Sequence, residues 1–301
     1  MPEKTMLVGG CMNGALLIAY DNGSHIPFFP LNLAYICAAM EKNGWNVEIS
    51  HQDIVHFPDE RLTVKIEAGR YDLVGMGFVG GYWQYKRALS ISAAVNKCRN
   101  RSTFKYVLGG HGPAAEPEYF LQKLGADHVI VGEAEEAILN LDKPIVWAPR
   151  IKNIDNLPWP AYEKFPTEIY RLHRFPNSAP TDFTMPMLSG RHCPFSCSFC
   201  YRMTPGFSPR KPSAVMEELT WLHDRYRISH FQFADELLMS SKYRAVQFAE
   251  AILNLPFKIK WDCNGRLNYA DPEVLAVMKR SGCNYINYGV EALDDEVLRL
   301  M

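Results

Sequence analysis

Short apolar runs closed by glycine alternate with amphipathic stretches along most of this chain, and that alternation narrows the fold more than any other feature. In the first half the runs are TMLVGG (5–10), NVEIS (46–50), YDLVGMGF (71–78), FKYVLGG (104–110) and DHVIVG (127–132). They are apolar throughout, as strands covered on both faces should be. Between them PLNLAYICAAMEKNG, with Gly44 just past its last turn, YKRALSISAAVNKCRN and PEYFLQKLG read as helices. The pattern predicts an α/β fold with a doubly wound parallel sheet over residues 1–142.

Residues 143–184 hold seven of the twenty prolines and show no sustained period. They read as a linker packed over the domains through Trp147, Trp159 and Tyr162. From residue 185 the alternation resumes. Strand FTMPMLSG is followed by a helix at 213–226 with Val215, Leu219, Leu222 and Tyr226 on one face. Strand HFQFAD (230–235), a helix at 242–253, strand KIKWDCN (258–264) and strand YINYGVE (285–291) come next. Asp271-Pro272 reads as an N-cap and first-turn pair, and LDDEVLRLM begins a further helix. The last three strands start about 27 residues apart, the size of a strand-plus-helix unit. The reading over 185–301 is the first half of a β/α barrel that stops within a helix, so the chain is expected to be part of a longer one.

Composition excludes several classes. The formal charge is −1 with no block of like charges, which argues against a nucleic-acid tail or a basic membrane patch. MPEKTMLVGG has no signal-peptide pattern, and no apolar stretch reaches the roughly 18 residues of a membrane span. The expected setting is soluble and cytoplasmic, without nucleic-acid or membrane partners. In a reducing compartment clustered thiols bind metal or do redox chemistry rather than form structural disulfides. Of the eight cysteines, Cys11, Cys37, Cys98, Cys263 and Cys283 are isolated and read as small buried apolar residues.

Two features point to ligands. Four predicted strands of the first half end in glycine, at Gly9-Gly10, Gly80-Gly81, Gly109-Gly110 and Gly132. Open parallel sheets bind ligands at that edge, so a sizeable flat or branched ligand is expected there. The G-x-G-x-x-G of dinucleotide sites is missing. The second feature is HCPFSCSFCYR (192–202), which places Cys193, Cys197 and Cys200 directly after the first barrel strand, on the face where barrel active sites lie. Structural zinc wants four ligands, and His192 is too close to Cys193 to chelate beside it. Three thiolates at this spacing suggest a four-iron cluster with one iron left open, with a zinc knuckle as the alternative.

CPFSCSFC resembles the C-x-x-x-C-x-Φ-C signature of the radical S-adenosylmethionine (SAM) enzymes, with Phe199 as the aromatic. The whole chain is similar to their cobalamin-dependent branch: a cobalamin-binding Rossmann-like domain, an IDNLPWPAY linker and a radical SAM barrel. The resemblance implies a 4Fe-4S cluster on Cys193, Cys197 and Cys200, whose open iron binds SAM and whose electron cleaves it to a deoxyadenosyl radical. It implies SAM contacts from Phe199, Tyr201, Glu236 in FADE, Arg266 and Glu291 in GVEA. It also implies cobalamin contacts from Gly10, Val79, Gly80, Tyr82, Gly109, Gly110, His111, Gly132 and Glu133, with the segment 106–138 around the corrin's nucleotide tail.

The Asp-x-His-x-x-Gly string that ligates cobalt from below is absent, since Asp53–His56 and Asp127-His128 have other spacings, so no histidine ligand is expected. The lower cobalt face would meet VGGYWQY (79–85), where Tyr82 and Trp83 read as packing residues. The function implied is methylation of an unactivated carbon, with ring closure of the magnesium-protoporphyrin ester cyclase type as the alternative. A cobalamin or cluster carrier without catalysis stands third. Methylthiotransferases, faintly suggested by Cys11 in GGCMN, are set aside because GMGF and LGGHG carry no cysteine. The implied partners are a small-molecule or peptide substrate and an electron donor such as flavodoxin or ferredoxin.

Overall fold

The structure is a computed structural model that describes residues 13–20 and 27–301. The strand expected at 5–10, with Gly9, Gly10 and Cys11, lies outside the described residues. The chain divides into two compact units, the first running to Ala148 and the second from Pro149 onward, with residues 27–35 grouped with the second.

Among the described residues the first unit holds a six-stranded parallel sheet. Its strands are β1 (Gly14–Ala19), β2 (Asn46–His51), β3 (Leu73–Gly77), β4 (Lys105–Gly109), β5 (His128–Val131) and β6 (Ile145–Trp147), in the order β2-β1-β3-β4-β5-β6. This is the flavodoxin type of double winding rather than the 3-2-1-4-5-6 order of dinucleotide domains, which agrees with the missing glycine fingerprint. The helices are α1 (Leu31–Lys42), α2 (Gln52–Val55), α3 (Asp59–Ala68), α4 (Tyr82–Asn96), α5 (His111–Ala115), α6 (Pro117–Lys123) and α7 (Ala134–Ala137). Leu16, Leu17, Ile18, Val74, Met76, Leu108 and Val129 are buried in the sheet. Each contributes about 1.5–3 kcal/mol relative to exposure.

Two strands depart from the sequence reading. GALLIA forms β1 although alanine and leucine favour helix, because pairing with both β2 and β3 overrides local propensity. β6 lies inside the stretch read as linker, where it pairs with β5 and Ala148 N–H donates to Val131 O at 2.8 Å. Three residues are too few to show a period. The linker aromatics also divide. Tyr162 is buried, Trp147 is 69% exposed, and Trp159 rests against Trp221 with ring centroids 6.0 Å apart while keeping much of its surface.

The second unit starts with α8 (Thr167–Tyr170) and builds a parallel sheet in the order β12-β11-β10-β7 from β7 (Thr184–Met187), β10 (His230–Phe233), β11 (Lys260–Gly265) and β12 (Cys283–Tyr288). A small antiparallel ladder, β8 (Gly190–Arg191) with β9 (Ser208–Pro209), follows β7. Helices α9 (Pro212–Tyr226), α10 (Lys242–Leu253), α11 (Pro272–Arg280) and α12 (Asp295–Leu300) alternate with the strands. The apolar face predicted for α9 is the one buried. Trp261, fully buried, packs against Phe233 and Phe248 and donates its ring N–H to Ser281. Asp271 stands at the N-cap of α11 but does not cap it; its carboxylate takes Lys242 Nζ at 2.8 Å. Cys37, Cys98, Cys263 and Cys283 are buried, as expected of isolated cysteines.

Candidate functional site

In the second unit the cysteine loop leaves the carboxyl end of β7 and is closed at its root by the β8–β9 ladder. Three free cysteines sit on it: Cys193 and Cys197 partly exposed, Cys200 exposed. The Cys200 N–H donates to Cys197 O at 3.2 Å, so these two share one turn. Among the described residues no three Cys, His, Asp or Glu side chains converge on a single ion. A four-iron cluster does not ask for that, because each thiolate ligates its own iron. Accessible, unbridged thiols on one loop fit such a cluster.

The loop is held where it starts. His192 adopts φ +66°, a left-handed conformation costly for a residue with a side chain, and its N–H donates to Glu236 Oε2 at 2.7 Å. Three residues earlier, Ser189 donates its N–H at 2.7 Å and its hydroxyl at 2.5 Å to the two carboxylate oxygens of Asp235. Arg244 Nη2 donates to Ser189 O at 2.6 Å and to its Oγ at 3.1 Å. Asp235 is fully buried, and burial pushes its carboxyl up to about 6 against the pull of the Ser189 hydrogen bonds and the Arg244 charge. Asn264 Nδ2 donates to Asp235 O, and Asn287 Nδ2 donates to Asn264 Oδ1, carrying polar contacts across β10, β11 and β12. The sequence reading singled out Glu236 and passed over its neighbour Asp235; the acidic pair in FADE was the available signal.

Arg266, after β11, stacks its guanidinium 4.1 Å over the Phe195 ring and places Nη1 3.9 Å from Cys197 Sγ. Here it meets the loop itself, and a hydrogen bond to a ligating sulfur is one of the contacts that set a cluster's potential. Phe199 and Tyr201 are both about half exposed beside the thiols. Glu291 lies exposed after β12 with φ +62°, its carboxylate folded over Gly289, where a Cβ would stand 2.4 Å from it. No contact joins it to the cysteine loop among the described interactions. Ser198, between two of the cysteines, donates its N–H to Met301 O at 2.8 Å and its hydroxyl to Leu300 O at 3.2 Å.

In the first unit the strand order reverses between β1 and β3, so the ligand crevice of such a sheet lies at their carboxyl ends. The loop after β3 delivers Val79 and Gly80 there, and the first turn of α4 delivers Tyr82 and Trp83. Tyr82 and Trp83 are 64% and 67% exposed, their rings 5.6 Å apart and Lys86 Nζ 4.7 Å over Tyr82. The expectation that they are packing residues is therefore corrected: an exposed apolar edge stands where a flat ligand would rest. Gly110 has φ +91° and a Cβ there would meet Phe78 O at 2.6 Å, so only glycine brings the loops after β3 and β4 this close. Gly132 serves the turn to β6, since its φ is +113° and a Cβ would stand 2.4 Å from Ala148 O. A Cβ on Gly80 would meet nothing, and one on Gly109 would reach only Ile130 O, at 4.0 Å. His111 is exposed at the start of α5, whereas Glu133 is buried at the start of α7.

The family model for the B12 binding domain matches residues 25–142, and that for the radical SAM superfamily matches residues 187–301. The chain therefore carries a B12 binding domain and a radical SAM domain in tandem. The cofactors implied by these two domains are cobalamin, SAM and a 4Fe-4S cluster.

An uncharacterized methyltransferase of Pyrococcus horikoshii is 28% identical over 51% of this chain and 32% of its own. The anaerobic magnesium-protoporphyrin IX monomethyl ester cyclase of Rubrivivax gelatinosus is 23% identical over 87% of this chain and 52% of its own. Among solved structures, the cobalamin-dependent radical SAM enzyme OxsB superposes with a TM-score of 0.77 at 16% identity, over 96% of this chain and 45% of that one. The radical SAM methyltransferase TsrM of Kitasatospora setae gives 0.70 at 17% identity, over 95% and 60%. The α/β reading of a doubly wound sheet followed by a partial barrel stands with this fold. The chain spans about a quarter to half of the lengths of the curated relatives it matches. Among the described residues no helix is long and apolar enough to cross a membrane.

Proposed function

We propose that this chain is the cofactor-bearing part of a cobalamin-dependent radical SAM methyltransferase acting on an unactivated carbon. The observation that carries the reading is the pairing of the two matched domains in one chain, with the three-cysteine loop at the carboxyl end of the second sheet. When bound, the cluster with SAM supplies a deoxyadenosyl radical and the corrin supplies a methyl group. The thiols of Cys193, Cys197 and Cys200 hold the iron. Glu236 fixes the loop backbone at His192 and lines the place for the SAM amino group. Arg266 lies against the loop at Cys197 and Phe195, within reach of a carboxylate there. Phe199 and Tyr201 offer aromatic walls.

In the first unit Val79, Gly80, Tyr82, Gly109, Gly110 and His111 border the corrin, with Gly132 and Glu133 shaping the turn beyond it. No histidine serves as a cobalt ligand. The partners of this reading are a small-molecule or peptide substrate and a low-potential donor of the flavodoxin or ferredoxin class, in the cytoplasm, without nucleic acid.

Ring closure is the second reading, favoured by one observation: the cyclase relatives align over 87% of this chain, the methyltransferase over 51%. Incubating the reconstituted protein with cobalamin, dithionite and SAM labelled in its methyl group separates the two. Methyl transfer is expected to leave label on the recovered corrin, with slow release of deoxyadenosine. Deoxyadenosine without labelled corrin would favour the cyclase reading.

A further inference from the structure

The linker makes a specific contact with the cysteine loop. The loop returns through Phe207 and β9 to Arg210, whose side chain is 3% exposed. Arg210 Nη1 donates to Leu188 O, on the outgoing limb, at 3.0 Å and to Glu218 Oε2 of α9 at 2.5 Å. Its Nε donates to Asp155 Oδ1 at 3.0 Å, and its backbone N–H donates to Ser189 O at 2.9 Å. The other Asp155 oxygen accepts the Lys211 N–H at 2.9 Å. Tyr162, at the far end of IDNLPWPAY, donates its hydroxyl to Glu218 Oε1 at 2.7 Å. Just upstream, Arg150 Nη1 donates to Phe207 O at 2.6 Å and Ser208 Oγ at 2.9 Å, and Ser208 returns a bond to Ile151 O at 2.8 Å.

We propose that Asp155 and Arg210 are positioning residues for the cluster: a clasp, anchored in the linker, that holds both limbs of the cysteine loop at its root. One planar guanidinium bridges a carbonyl of the outgoing limb, a helix carboxylate and a linker carboxylate, a set that fits only one spacing of the limbs. Breaking a buried ion pair leaves the remaining charge uncompensated, so the limbs must shift or admit water. The inference gives the linker a task beyond spacing the two units, and it rests on the reading that the loop holds iron.

The test compares Asp155→Asn with Asp182→Asn in the full chain. Asp182 is a matched control: its carboxylate, 11% exposed against 14% for Asp155, also takes one cation, Lys260 at 2.7 Å, and one backbone N–H, Ala179 at 2.6 Å. It precedes β7, at the opposite end of the sheet from the loop. Two rates are measured: alkylation of each cysteine in the reduced, iron-free protein, and iron release to a chelator from the reconstituted protein.

Asp155→Asn is expected to raise alkylation of the half-buried Cys193 and Cys197 on the order of tenfold, the size set by losing one charge-assisted hydrogen bond. Exposed Cys200 stays unchanged as an internal reference, and iron release rises with the other two. Asp182→Asn leaves all of these at the parent's rates even where it lowers the unfolding temperature as much. Equal rates in the two variants, or no change in either, overturn the clasp. Tyr162→Phe removes only the hydroxyl on Glu218 and supplies the same ordering at smaller size should Asp155→Asn not fold. If the parent holds no iron, the functional reading falls, and the alkylation rates still decide the clasp.

Discussion

Replacing Cys193, Cys197 and Cys200 together with alanine is expected to take the anaerobically reconstituted protein from about four irons per chain to background, with loss of its brown absorbance. The three thiols lie on one accessible loop at the carboxyl end of a parallel sheet, while Cys37, Cys98, Cys263 and Cys283 are buried elsewhere. A hydrogen bond to Cys283, together with burial, holds the Cys263 thiol well above its ordinary value, which keeps it protonated and unsuited to iron. Alanine at those four positions should therefore leave the iron count untouched. Cobalamin binding should survive the triple substitution, because its candidate residues all lie in the other compact unit. Iron staying near four per chain in the triple variant would refute the assignment.

The second large effect concerns Asp235. Its carboxyl is raised from 3.8 to about 6, chiefly by burial, so folding takes up a proton between those values. The sign follows from linkage. The group's contribution is fully present below about 4 and is lost as pH rises through about 6. A gap of about two units corresponds to roughly 3 kcal/mol. Asp235→Asn keeps the shape and cannot titrate. The stability of the parent relative to the variant is therefore expected to fall by roughly 3 kcal/mol from pH 4 to pH 7, read from urea unfolding of both proteins across that range. Parallel stability curves would show that this carboxyl ionises as freely in the folded chain as in the unfolded one.

Much of this architecture is legible in the residues themselves. The apolar runs at 46–50, 71–78, 104–110 and 127–132 became β2 to β5, and the α9 face became core, since periodicity reports burial directly. GALLIA escaped because its propensity points to helix while two flanking strands make it a central strand. The site divides on similar lines. A cysteine spacing is local and shows in eight consecutive residues, whereas the contacts that hold the loop join positions far apart in sequence. Asp235 meets Ser189 across 46 positions, and Arg210 meets Asp155 across 55. Apart from the acidic pair in FADE, nothing nearby in sequence marks either contact. Tyr82 and Trp83 were misjudged for a different reason: bulky aromatics usually signal packing, and only the fold shows them exposed at the point where the strand order reverses.

The central claim is that the three-cysteine loop holds a four-iron cluster with one iron open to SAM. Electron paramagnetic resonance of the dithionite-reduced, reconstituted protein, recorded with and without SAM, addresses it most directly. A reduced-cluster signal whose g-values move on adding SAM is the expected result, because a ligand reaches an iron that no side chain occupies. A sample with four irons per chain whose spectrum is identical with and without SAM would contradict it.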